Sequence, residues 1–267
     1  LHTVLIKRSG DDALLGVVSN FAVHSDTRGG TGFSADYPGV LARELEKELG
    51  DEVVSLFLQG ASGDLNHVNV RKGSERLKTD GIGGRLAQEI LSMKDQRKAV
   101  AASGLGASSE VVYAPLQSYN EAELIWAEDS EAASKYGETG LFQLRRPMKI
   151  RSLQRIRRSE AVPPTIETEP WTLPVEVQAF RVSDEIAIVG IPGEVFVELG
   201  LAVKKASPFR TTLIVELTNV HIAYLPTEAA FREGGYETLN SRLAPGGGEL
   251  LVESAIRQLQ ALKDRKQ

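Results

Sequence analysis

The stretch Ala13–Asp26, ALLGVVSNFAVHSD, decides how this chain is read. Its first part is an apolar run that reads as a buried strand. It breaks at His24 into SDTRGGTG, polar and rich in glycine. A histidine therefore stands where a strand runs out into a loop. The chain has four histidines: His2, His24, His67 and His221. Alone, His24 reads either as a structural side chain at a strand end or as a ligand at the mouth of a site.

Working outward, HTVLIKRS precedes the stretch and GDDA joins the two as a hairpin turn. SADYPGVLARELEKELG follows as a helix, with Ser34 or Asp36 as cap, Pro38 in the first turn and Gly50 at the end. Leu41, Leu45 and Leu49 recur at helical spacing. EVVSLFLQG is a buried strand opening into the polar loop GASGDLNHVN; GGRLAQEILSMKD is a helix and SEVVYAPLQ a strand. Residues 118–160 differ in texture: an acidic helical piece precedes LRRPMKIRSLQRIRRSE, which is strongly basic. Two surface helices with facing opposite charges account for this. A basic lid or membrane-surface segment, with Met148, Ile150, Leu153 and Ile156 as its apolar side, is the alternative. After the Pro-rich AVPPTIETEP come the strands VEVQAFRVSD and EIAIVGIPG, the helix EVFVELGLAVKKAS, the strand TTLIVELTN and a closing amphipathic helix. The expected fold is α/β: a mixed β-sheet flanked by helices in one domain over 1–267, with a helical charged insertion around 120–160.

Composition narrows the function classes. The 267 residues are 42% hydrophobic and 25% charged, ordinary for a globular chain. A net charge of −5 carries no nucleic-acid footprint. Without cysteine there is no disulfide, thiolate metal site or Cys nucleophile. No apolar run approaches the ~20 residues that cross a bilayer. The chain opens on a strand without a leader, so a processed chain or a fragment lacking an N-terminal part is expected, with a secreted or periplasmic location.

Ligands in such folds gather at the C-terminal ends of strands. Four polar clusters stand there: His24, the loop 60–69, Glu194, and Asn219–Tyr224. Each has a plain structural explanation by itself. Glu194 would complement a helix dipole, Tyr224 would be a half-buried tyrosine, and His67 a loop residue beside Asp64. Together, an imidazole, a carboxylate and a phenol could converge on zinc. No H-E-x-x-H, G-x-S-x-G or P-loop occurs. GIGGR reads as turn chemistry, with anion binding at a helix start as its rival.

The clusters, in order, resemble the neutral/alkaline ceramidase family. NFAVHS, FSADYPGVLARELE, LFLQGASGDLNHVN, AIVGIPGEVF and TNVHIAYLPTEAAFREGGYE each resemble a family segment, from about Val4 to Tyr236. The resemblance implies zinc held by His24, Glu194 and Tyr224. It implies that Tyr236, before Glu237, polarises an amide carbonyl, and it makes Asp64, Asn66 and His67 further catalytic candidates, with Asp64 or His67 positioning the groups around the metal. The expected reaction is hydrolysis of a linear amide bond, with an N-acyl sphingoid base as default substrate. Another small-molecule or lipid amide or ester, or an inactive binding domain, is the alternative. Two features depart from the family: Asn66 and His67 stand where it has Ser and Pro, and its upstream His-x-His zinc segment has no counterpart here.

Overall fold

The opening hairpin forms as the sequence predicts. In the computed structural model, which describes residues 1–68, 78–101, 103–134, 144–158 and 171–265, β1 (His2–Lys7) and β2 (Leu14–Phe21) pair antiparallel. The chain then crosses through α1 (Asp36–Leu49) to β3 (Val54–Gln59), which lies parallel to β2. Tyr37, Leu41 and Leu45 on α1 are buried, the spacing of one helical face.

Neither residue expected to cap α1 does so; its N-cap is Ala35. Asp36 instead adopts a left-handed backbone (φ 50°), and its carboxylate accepts from Thr27 Oγ1, Arg28 N and Tyr37 N. This ties the glycine-rich loop after His24 to the helix start. β3 is less buried than expected, because Val54 and Leu56 lie more than half exposed on one face. GIGG is not a turn before a helix but part of α2 (Thr79–Ser92). At Gly83 a Cβ would stand 2.5 Å from Val40 Cβ and 2.7 Å from Tyr37 O. That glycine lets α2 approach α1 at backbone distance.

β4 (Gly106–Pro115) leads to α3 (Glu121–Ser134) and α4 (Arg145–Arg158). Their opposite charges face each other, with Arg146 Nη2 2.7 Å from Glu123 Oε1 and Arg151 Nη1 3.5 Å from Glu128 Oε1. Of the expected apolar side of α4, Ile150 and Leu153 are buried while Met148 stays exposed. The Pro-rich segment 161–170 lies outside the described residues. β5 (Thr172–Arg181) and β6 (Ile186–Gly190) form a hairpin around the Ser183–Asp184 turn. Then come β7 (Glu194–Val195), α5 (Val197–Ala206), β8 (Thr211–Val215), β9 (Tyr224–Leu225), the short α6 (Glu228–Glu233) and α7 (Tyr236–Asn240), and α8 (Gly247–Asp264).

The second sheet runs β4-β5-β6-β8, with β6 and β8 parallel. Its inner face packs on α5 and α8 around Val177, Val189, Leu251 and Leu259. β3 of the first sheet meets β8 of the second. There Asn20 Nδ2 donates to Leu58 O (3.0 Å) and to Ile214 O (2.8 Å), and Glu216 N donates to Gln59 O (3.0 Å). Among the described residues no helix is long and apolar enough to cross a membrane.

The packing of α1 on α2 gives a test by chemical denaturation. Gly83→Ala forces the helices apart and lowers stability by about 1–3 kcal/mol. Gly84→Ala, where a Cβ meets nothing within 4 Å, raises it by up to about 1 kcal/mol.

Candidate functional site

His24 leaves the end of β2 and is held by the loop that follows β3. Its backbone N–H donates to Leu65 O (3.0 Å), and its Nδ1 lies 3.1 Å from the same oxygen. A carbonyl oxygen only accepts, so Nδ1 carries hydrogen and Nε2 is presented to the site. Nε2 is 3.1 Å from Glu194 Oε2.

Glu194 does not open a helix. It sits in β7, whose parallel partner across the β7–β9 pair is Tyr224. The glycine of IPGE makes this possible. Gly193 has φ 82°, and a Cβ there would lie 2.6 Å from Ala223 O. Ala223 is itself left-handed (φ 67°), and its carbonyl accepts from Glu194 N (2.9 Å). Asp64 serves the helix end that Glu194 was expected to serve, its Oδ1 accepting from Val197 N (2.7 Å) at the start of α5.

The rings continue from His24. Tyr224 stacks on His24 with centroids 6.5 Å apart and planes 11° from parallel, and Tyr236 meets Tyr224 edge-on at 5.9 Å. His24, Glu194, Tyr224 and Tyr236 thus come together. Asp64, Asn66 and His67 lie on the neighbouring loop. Asp64 and Asn66 are exposed, whereas the His67 ring is buried with Nδ1 3.2 Å from Asp26 Oδ1.

Two residues of the site were not singled out from sequence. His221 Nε2 lies 3.2 Å from Glu194 Oε1, so each carboxylate oxygen faces an imidazole. Glu216, at the end of the apolar TTLIV, is buried beneath them. A charged residue ending a buried strand was the available signal.

Electrostatics follow the geometry. The Glu194 hydrogen bond raises His24 to about 9 against the opposing effect of burial. Burial acts to raise Glu194, yet hydrogen bonds from His24, His221 and Tyr224 outweigh it and hold the carboxyl below its ordinary range. Burial and then the Glu194 charge push Tyr224 upward. Burial lifts Glu216 to about 6.

These residues also fit a metal. Bonds of about 2.0–2.2 Å in tetrahedral geometry put neighbouring donors roughly 3.3–3.5 Å apart, close to the 3.1 Å from His24 Nε2 to Glu194 Oε2. Among the described residues no three His, Asp or Glu side chains form a metal cage. Tyr224, whose ring stacks on His24 and whose hydroxyl hydrogen-bonds Glu194, brings a phenol to this pair.

No protein-family model matches the chain, and no curated protein sequence does. Solved structures do match. The crystal structure of neutral ceramidase from Pseudomonas aeruginosa superposes with a TM-score of 0.66 at 20% identity, covering 96% of this chain and 45% of that one. The chain has the neutral ceramidase fold. A ceramidase complexed with C2 matches with a TM-score of 0.66 at 19% identity, covering 96% and 47%. This chain therefore spans less than half the length of either structure.

The His24–Glu194 pair predicts a pH signature in chelator. His24 is raised from 6.5 to about 9, so its contribution is complete below 6.5 and is lost as pH rises through about 9. Glu194 is held below 4.5, so its part is complete above 4.5 and lost at lower pH. His24→Ala should therefore destabilise the metal-free protein by about 1–3 kcal/mol more at pH 6 than at pH 10 in urea titrations.

Proposed function

We propose that this chain forms part of a zinc-dependent hydrolase that cleaves a linear amide bond, with an N-acyl sphingoid base as its substrate. The observation that carries the reading is His24 Nε2 at 3.1 Å from Glu194 Oε2, with Tyr224 stacked on the imidazole. The shared fold supports it, and so does the order of the sequence segments that resemble the ceramidases.

His24, Glu194 and Tyr224 would hold the metal. Zinc supplies Lewis acidity, polarising a carbonyl and acidifying water near neutral pH. The protein's share is orientation. Leu65 O fixes the His24 tautomer, as the partner of a metal-bound histidine does. His221 holds the far oxygen of Glu194. Tyr236, edge-on to Tyr224, would donate its hydroxyl to an oxyanion that develops at the scissile carbonyl. Asn66, where the resembled segment has Ser, offers a carboxamide and no hydroxyl nucleophile, so the attacking group in this reading is water. The α3–α4 pair is the charged helical insertion of this single domain.

The test uses the intact natural protein, zinc determination by mass spectrometry, and release of fatty acid from a ceramide. One zinc per chain is expected, with His24→Ala and Glu194→Ala each losing the metal and at least about 1,000-fold in kcat/KM. Tyr236→Phe should lower kcat by about 100-fold with KM nearly unchanged, the mark of an interaction made in the transition state. Full activity in both ligand variants would overturn the zinc reading. Zinc uptake without ceramide cleavage would move the substrate to another amide or ester.

A further inference from the structure

We propose that Glu216 is the positioning residue of this site, its buried carboxylate tying together the loop that orients His24 and the strand that carries Glu194. The inference rests on the site reading above. Glu216 is 4% exposed, immediately beyond β8. Its Oε2 accepts from two backbone N–H groups, Ser62 at 3.1 Å and Val195 at 2.8 Å. Its Oε1 accepts from Ser62 Oγ at 2.5 Å.

Both partners lead straight to the site. Ser62 opens the turn closed by Leu65 N–H on Ser62 O (2.8 Å), and Leu65 O is the acceptor that holds His24 through its backbone and its ring. Val195 is the residue after Glu194 in β7. At Gly63 the loop meets the strand backbone to backbone. Gly63 N–H donates to Val195 O (2.8 Å), and a Cβ on Gly63 would lie 2.5 Å from Glu194 O. With no side chain to set the spacing there, hydrogen bonds set it, and one carboxylate receives three of them. Through Ser62 and Val195 one group thus stands behind two of the proposed ligands, His24 and Glu194.

A carboxylate suits the position because three donors converge and an ionised carboxylate only accepts. A glutamine keeps the two backbone bonds, its amide oxygen taking both N–H groups, while its NH2 can donate to Ser62 Oγ beside the Gln59 Nε2 already bonded there. A leucine fills the space but leaves both N–H groups unsatisfied. Glu216→Gln, Glu216→Leu and Ser62→Ala separate hydrogen-bonded positioning from mere filling of the core.

The measurements are the long-range proton–nitrogen spectrum of the His24 ring in chelator at a pH above the value of about 9 to which His24 is raised, where the ring is neutral and has a tautomer, zinc affinity by competition with a chromophoric chelator, and kcat against KM. Glu216→Gln should keep the Nδ1–H tautomer signal and stay near the parent zinc affinity. Glu216→Leu should lose the tautomer signal, weaken zinc by about 10- to 100-fold, as removal of a group behind a metal ligand does, and lower kcat with KM little changed. Ser62→Ala should fall between them, and it decides the question if Glu216→Leu does not fold. A folded Glu216→Leu or Ser62→Ala variant with the parent tautomer signal and zinc affinity overturns the proposal. Absence of zinc from the unaltered protein would sink the hydrolase reading instead. The tautomer signal, taken without metal, would still test Glu216.

Discussion

Asn20 Nδ2 donates to a carbonyl of β3 on one side and to a carbonyl of β8 on the other. That bifurcated contact, with the Glu216–Gln59 backbone bond beside it, closes the line where the two sheets meet. Buried backbone oxygens at a sheet edge need donors, and a side-chain amide supplies them without continuing either ladder. The loops of the site leave strands at this junction: β2 toward His24, β3 toward Ser62–Leu65, and β8 toward Tyr224. An error in the junction would displace them together, so the site inherits its precision from a contact with no chemical role.

The centre of the site is an electrostatic problem with two solutions. Leu65 O obliges His24 Nδ1 to hold the hydrogen, which leaves Nε2 facing a carboxylate oxygen. A lone pair opposite a carboxylate needs either a proton or a cation between them. In the protein without metal the proton serves, and His24 is raised to about 9. Zinc would replace that proton, and metal binding should therefore strengthen as pH rises toward that value. The backbone near the pair is strained. Between β8 and β9, Leu217, Asn219 and Ala223 all adopt left-handed conformations, strain of order 1–3 kcal/mol each that persists where surroundings over-determine it.

Most elements were legible because their signals are local. The period of Leu41, Leu45 and Leu49, the glycine at position 50 and the Ser183–Asp184 turn each depend on neighbours within a few residues. The failures have a common cause in long-range contact. GIGG reads as a turn because glycine disfavours helices, yet Gly83 is helical because α1 lies against it. Glu194 reads as a helix-start carboxylate, yet pairing with Tyr224 draws it into a strand and Asp64 takes the helix end. The imidazole of His221 and the carboxylate of Glu216 had no local pattern to mark them.

The amino-acid order by itself determined the strand-to-loop break at His24, the alternation of strands and helices, and the four polar clusters at strand ends. It did so because periodicity and turn chemistry act between near neighbours. Only the tertiary structure decided that His24, Glu194, Tyr224 and Tyr236 face one another while Asp64 and His67 turn to other partners. Residues 24 and 194 are joined through Leu65, Ser62, Glu216 and Val195, hydrogen bonds between segments far apart in the chain. No spacing along the sequence records such a path, since it exists only after both sheets have packed.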